Sequence, residues 1–467
     1  MTARGPRLAL HWKIVIGLSL GILVGIALDR LWTRDTWTSL GVGDPAAFMA
    51  RKSGEMFASG KAAPANEHAG FGAHAARVLV NLNTLIGQLF FRALRFIAVP
   101  IVLCSLTVGV ASLGDLKRLG RIGAKTLAIF VITTAIAIVI GLALANTVKP
   151  GAYIDEAARN QMMLQYQSAA AASIGRTGEV PTAWQQALDL IPANPFEALA
   201  KAQMLQVIVL AVLLGAGLTM IPREKSEVAV RFFDALTDAI VQLVNLVMRM
   251  APVAVFALVS PAIVLIGLDV LRALLVYSLV LVAGLAIVLF VLYPLCLRLL
   301  AGYSYARFFR GMAPAMLTAF SSSSSNATLP VTMECTQERL GVSERITSFV
   351  CPLGATINMA GTALYMGVAA VFIGQMYGMS LSIVQQATIV IMATLAAIGT
   401  PGIPGAGVVM LVVVLQQVSV PAEGIAVILG VDRLLDMCRT VINITGDSMT
   451  AVCVAASEGE LASDPAN

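Results

Sequence analysis

Apolar runs of roughly 20 residues or more, each long enough to cross a bilayer as a helix, recur at 13–32, 77–112, 123–147, 199–220, 228–266 and 270–300. Several exceed the minimum, which predicts tilted or kinked spans. Two polar, Gly/Ala-rich stretches, 33–76 and 150–190, read as extracytoplasmic loops without a domain pattern of their own. Beyond residue 300 the texture changes. The segment 308–340 is apolar, turns abruptly polar from Ser321 to Asn326, and then regains a helix-like pattern. The segment 383–418 is broken at its centre by Gly399-Thr-Pro-Gly-Ile-Pro-Gly-Ala-Gly407. No continuous helix runs through two prolines and four glycines. Irregular backbone cannot face lipid either. Each segment is therefore expected to be a re-entrant hairpin, two half-helices meeting at a tip buried in protein or lining a cavity. The other reading is two ordinary loops in water. Two interrupted segments in corresponding positions point instead to a transporter site at an inverted repeat.

Composition fits this pattern. Hydrophobic residues make up 58% of the chain and charged residues 12%, about half the charge of a soluble domain. The fold class is thus an all-α integral membrane protein. The basic residues cluster in alternate loops: Arg4, Arg7 and Lys13; Lys117, Arg118, Arg121 and Lys125; Arg223, Lys225 and Arg231; Arg298, Arg307 and Arg310. By the positive-inside rule these loops face the cytoplasm, and no nucleic acid is expected as a partner. The N-terminal run from Ile14 to Leu28 ends in Asp29-Arg30 without a small-x-small cleavage site, so it reads as a retained helix. The six cysteines form no C-x-x-C pair, and the three histidines (His11, His68, His74) lie near the N-terminus. No nucleotide-binding loop suggests an ATP-driven pump.

The most informative stretch is Val431 to Val454, apolar except for Asp432, Asp436, Arg439, Thr440, Asn443 and Asp447. At about 100° per residue, Asp432, Asp436, Arg439, Asn443 and Asp447 share a face about 80° wide, bordered by Thr440. Charges inside a membrane cost a few kcal/mol each, so this stripe faces protein, water or ligand. Three aspartates and one arginine sum to −2 and need cationic company. An internal network, Asp436 with Arg439 and Asp432 with a basic residue elsewhere, is one answer, but it leaves Asp447 unpartnered. The other is a ligand. A guanidinium grips a carboxylate, and an aspartate one turn away can hold an ammonium. Asp447 and Asn443 offer hard oxygens suited to a small cation.

Ser321-Ser-Ser-Ser-Ser-Asn-Ala-Thr-Leu-Pro330, Asn358-Met-Ala-Gly-Thr362, Gly399 to Gly407 and Asp436-Met-Cys-Arg-Thr-Val-Ile-Asn-Ile-Thr-Gly-Asp447, with Pro192-Ala-Asn-Pro-Phe-Glu197 ahead of the fourth helix, together resemble the dicarboxylate/amino acid:cation symporter family, which includes the excitatory amino-acid transporters. The similarity runs from about 10 to 455 outside the long loops. It implies eight transmembrane helices plus two hairpins with inverted repeats, a homotrimer, a bacterial inner membrane location and an elevator motion. Residues 1–300 would carry helices one to six, with one, two, four and five as scaffold and three and six in the transport part. Residues 301–457 would form the core transport region and 458–467 a polar tail. It also implies substrate contacts from Ser325, Thr362, Ile403 and Gly407. Asp436 would hold the amino group of glutamate or aspartate, Arg439 its side-chain carboxylate, and Thr440 and Asn443 the rest. One sodium would sit on Asp447 with carbonyls of Gly354, Asn358 and Asn443, and a second on carbonyls of Thr356, Ala397, Ile398 and Thr400 beside Met359. Protons could replace or join sodium.

The chain departs from the family pattern in places. Ala360 stands where an aspartate serving a third sodium site is usual, and Phe130 replaces a tyrosine of that site, although Thr133 and Thr134 keep hydroxyls nearby. Hairpin one has Asn326 where serine is usual, and Ser323 where some archaeal relatives carry arginine, which leaves Arg439 as the single guanidinium expected at the substrate. A symporter for acidic amino acids is the leading reading. A C4-dicarboxylate carrier is opposed by Asp436, which would repel a substrate lacking an amino group. A membrane-embedded enzyme lacks a nucleophile–base pair, and an anion channel would not move cargo up a gradient.

Overall fold

The computed structural model describes residues 10–32, 34–42, 69–112, 120–154, 191–266 and 269–462. Arg4, Arg7, Lys117, Arg118 and His68, most of both long loops and the last five residues lie outside these. Among the described residues the chain is helical, with one isolated bridge between Val342 and Leu461. The long elements are α1 (Leu10–Leu31), α2 (Phe71–Ser112), α3 (Arg121–Val148), α4 (Met204–Met220), α5 (Arg223–Ile266) and α6 (Asp269–Ala301). They continue with α7 (Tyr305–Ser322), α8 (Ser325–Glu334), α9 (Glu344–Ile357), α10 (Ala360–Met376), α11 (Ile383–Ile398), α12 (Ala406–Gln417) and α13 (Ile425–Glu458). Among the described residues five stretches are long and apolar enough to cross a membrane: Phe71–Ala111, Arg121–Tyr153, Arg223–Pro261, Asp269–Ala301 and Glu344–Met376, the last spanning α9 and α10. The apolar parts of α1 and α4, Trp12–Leu28 and Gln206–Met220, are shorter.

Helices α1, α2, α4 and α5 pack on one another. Small residues make the closest of these contacts. Gly17, Gly21 and Gly25 recur every fourth residue on α1 and let it lie against the backbone of α5 at Pro252 and Phe256, as small-residue stripes do in membranes. Helices α3, α6 and α9 to α13 pack together around α10 and α13. The two groups meet where α1 and α5 touch α13, α2 touches α11 and α12, α4 touches α12, and α5 touches α6. At that joint the Ser105 hydroxyl on α2 lies against two carbonyls, Ile101 of its own helix and Gly399 after α11.

Both interrupted segments are pairs of short helices, and each break has a local cause. Ser323 ends α7 in the left-handed region (φ 53°), its N–H donating to Ala319 O. Ser324 then caps α8, its hydroxyl accepting from Ala327 N at 3.2 Å, the usual work of serine at a helix start. In the second segment, Pro401 and Pro404 cannot continue α11, and Gly405 takes φ 82° before α12. The tips join directly: Asn326 N and Ser324 Oγ both donate to Gly402 O, at 3.1 and 2.7 Å. A third break falls between α9 and α10, where Asn358 and Met359 leave helical geometry.

The expected tail beginning at 458 is tied down at its start. Glu458 receives Arg121 at 2.6 Å and Lys125 at 2.7 Å, both from the start of α3. Glu460 takes Ser343 Oγ at 2.6 Å and Arg345 at 3.1 Å, and Ala462 N donates to Gly341 O. Hydrogen bonds from Arg121, then Lys125, hold the Glu458 carboxyl down from the ordinary 4.5 to about 2. A depressed carboxylate stabilises the fold above its unfolded value and loses that contribution as pH falls through the folded one. Exposed pairs contribute little. Glu458→Gln is expected to lower the thermal midpoint by about a degree or two at neutral pH. The gap to the parent closes between pH 4.5 and about 2. Thermal scans in detergent across that range check it.

Candidate functional site

The two tips, the α9–α10 break and the middle of α13 converge. Between the tips lies a cavity of about 240 Å³ counted out to its mouth. Seven of the eight expected substrate residues line it: Ser325, Thr362, Ile403, Gly407, Asp436, Thr440 and Asn443. Met359 and Thr400, expected around the second cation, line it too. Arg439 does not. It lies fully buried behind Gly407, where a methyl group would stand 3.6 Å from Nη1.

Arg439 is held from three sides. Its Nη2 donates to Asp436 Oδ1 at 2.8 Å and lies 3.1 Å from Asp432 Oδ1. Its guanidinium stacks 3.8 Å over the Tyr365 ring, a favourable place for a desolvated cation. Both carboxylate contacts use one nitrogen. Nε and Nη1 are buried and have no hydrogen-bond partner. The second oxygen of Asp436 accepts from Gly405 N at 3.0 Å, which fastens the tip before α12 onto α13. Arg433 Nη1 lies 3.6 Å from that same oxygen.

Two turns along α13 the electrostatics differ. Asp447 is 1% exposed and accepts Asn358 Nδ2 at 2.9 Å. Among the described residues it has no ion-pair partner. Asn358 Oδ1 is buried without a partner as well, and Gly354 packs directly on the Asp447 carboxylate. A buried carboxylate with one amide and no cation, beside an orphaned carbonyl oxygen, has the chemistry of a small-cation site. Asn443 organises its neighbours: Oδ1 accepts Gly361 N at 2.8 Å, and Nδ2 reaches Met359 Sδ and Thr362 Oγ1, both at 3.2 Å. Of the remaining second-cation residues, Ala397 and Ile398 close α11. Thr356 is exposed, its hydroxyl bonded to Leu353 O at 2.9 Å.

Residues 10–457 match the model of the sodium:dicarboxylate symporter family. The chain belongs to this family. It is 38% identical to the proton/glutamate-aspartate symporter of Escherichia coli (strain K12), over 81% of this chain and 86% of that one. It is also 38% identical to the proton/sodium-glutamate symport protein of Bacillus subtilis (strain 168), over 80% and 86%. A third relative, the C4-dicarboxylate transport protein of Bacillus subtilis (strain 168), is 32% identical over 80% and 87%. With these relatives and its long apolar helices, the chain is a multi-pass membrane protein of the symporter type.

For a family member, the sequence reading missed three features of the site. Arg433 supplies a second guanidinium, so Arg439 is not alone at the edge of the site. The signal was available, because residues three apart on a helix are neighbours and Asp436 follows Arg433 by three. Asp432 finds its cation in Arg439, not in a basic residue from elsewhere. The break at Asn358 was legible only as two weak helix formers, Asn358 and Gly361, within an apolar run.

Because Gly354 has no room for a side chain against Asp447, Gly354→Ala is expected to cost about 1–3 kcal/mol by overpacking. The check is the thermal midpoint of the purified protein, which should fall by several degrees, with sodium-dependent stabilisation weakened further.

Proposed function

We propose that this family member is a secondary active symporter that imports L-glutamate or L-aspartate, coupled to sodium, protons or both. One observation carries the reading: a fully buried guanidinium behind the cavity keeps two nitrogens unpaired. Leaving buried charged donors unmet is costly, and the side-chain carboxylate of an acidic amino acid supplies the missing acceptor. In this reading Asp436 takes the ammonium, Arg439 the side-chain carboxylate, and Ser325, Thr362, Ile403, Gly407, Thr440 and Asn443 the remaining polar groups. The space enclosed behind the mouth has room for no more than about one water molecule. Entry therefore requires the tips to part, which breaks the bonds from Ser324 and Asn326 to Gly402.

One cargo cation is assigned to Asp447 with carbonyls of Gly354, Asn358 and Asn443. A second is assigned to carbonyls of Thr356, Ala397, Ile398 and Thr400 beside Met359. A third position in the family's usual form is not part of the proposal. Ala360 and Phe130 are buried apolar groups there, and Thr133 Oγ1 already donates within its own helix, at 2.7 Å to Ile129 O. The proposal extends to eight spanning helices with two re-entrant hairpins in inverted repeats. In it α1, α2, α4 and α5 are the trimeric scaffold, and the rest slides against them. The separate packing of the two helix groups supports that division. The cargo leaves chemically unchanged.

A C4-dicarboxylate is the second reading, favoured by the relative of that name and opposed by the carboxylate of Asp436 at the cavity wall. In proteoliposomes, unlabelled aspartate should suppress labelled glutamate uptake, and succinate should not. Arg439→Ala removes a buried charge partner worth about 2–5 kcal/mol, so apparent affinity should fall by at least about thirtyfold. Intact acidic amino-acid uptake in that variant overturns the assignment. Imposing sodium and pH gradients separately, on this chain and on Ala360→Asp, identifies the coupling ion. The substitution is expected to increase dependence on sodium.

A further inference from the structure

At and behind the cavity wall the charges of α13 form an alternating chain: Asp432, Arg439, Asp436, Arg433. Successive contacts measure 3.1, 2.8 and 3.6 Å. Two carboxylates and two guanidiniums cancel. Among the described residues no other lysine or arginine forms an ion pair with either aspartate. The last link differs from the others. At 3.6 Å, Arg433 is beyond hydrogen-bond length, so it neutralises Asp436 Oδ2 without occupying its lone pairs. Its Nε is buried without an acceptor, and its side chain is 14% exposed against 0% for Arg439. This is a loosely seated cation at the edge of the site, able to give way.

Building on the symport reading above, we propose that Arg433 is a positioning residue that stands in for the cargo's ammonium group. When an acidic amino acid is bound, its ammonium compensates Asp436, and its two carboxylates are met by Arg439 and the coupled cations. When none is bound, that compensation falls to Arg433, because Arg439 is already shared between two carboxylates. Without Arg433 the unloaded cluster carries a net −1. Moving an uncompensated buried charge through the membrane is penalised strongly. Arg433 therefore governs the return of the empty carrier much more than the passage of the loaded one.

The test separates these two passages in one preparation. Net uptake of labelled aspartate into vesicles without internal aspartate requires the empty carrier to return. Exchange into vesicles preloaded with unlabelled aspartate does not. For Arg433→Met and Arg433→Gln, the ratio of net uptake to exchange should fall at least about tenfold below the parent's. Arg433→Lys, which keeps the charge, should restore it to within about twofold. Size-exclusion profiles confirm that each variant is folded. An unchanged ratio overturns the proposal, whether both rates fall together or neither falls. A parent protein that shows neither uptake nor exchange of aspartate or of glutamate overturns the symport reading instead.

Discussion

The need to neutralise charge in a medium that solvates it poorly governs this structure. Asp432, Asp436 and Arg439 are all under a tenth exposed. Each would be expensive alone. Their alternation along one face of α13 lets Arg439 serve both carboxylates, and the Tyr365 ring replaces part of the lost hydration. Because the chain of pairs is anchored on a single continuous helix, its spacing is set by helical geometry and not by loop conformation. The surrounding elements are free to be irregular because α13 is not.

That irregularity is concentrated where backbone groups are wanted. Helices α7/α8, α11/α12 and α9/α10 all stop and restart at the same depth as the charged face of α13. Each stop exposes carbonyls and each restart exposes N–H groups. Some of these are already used, as when Gly405 N meets Asp436 and Gly361 N meets Asn443. The site is thus built from main chain as much as from side chains.

Much of this was legible in the sequence, because membranes simplify the code. Period and length located α2, α3, α5 and α6, and helix geometry alone placed Asp432, Asp436, Arg439 and Asn443 on one face. Proline and glycine marked the second hairpin. What stayed hidden depended on reach or on tertiary context. Arg433 sits off the charged face by backbone angle, so face geometry passes over it even though its spacing of three from Asp436 and its long side chain bring the two together. The unwinding at Asn358 has no proline to announce it. Arg439's seat behind Gly407, not in the cavity wall, reflects the lack of a side chain at residue 407, a relation between two helices that no periodicity encodes.

The joint at Ser105 has its own logic. A hydroxyl carries one hydrogen but lies against two acceptors, Ile101 O and Gly399 O. It can satisfy only one at a time, and either serves. If the helix carrying Gly399 moves away, the proton stays with α2 and no buried donor is stranded. Only a carbonyl loses a partner, the less costly kind of orphan. At this point the seam between the two helix groups can therefore open without leaving a buried donor unpaired, more like a latch than a weld.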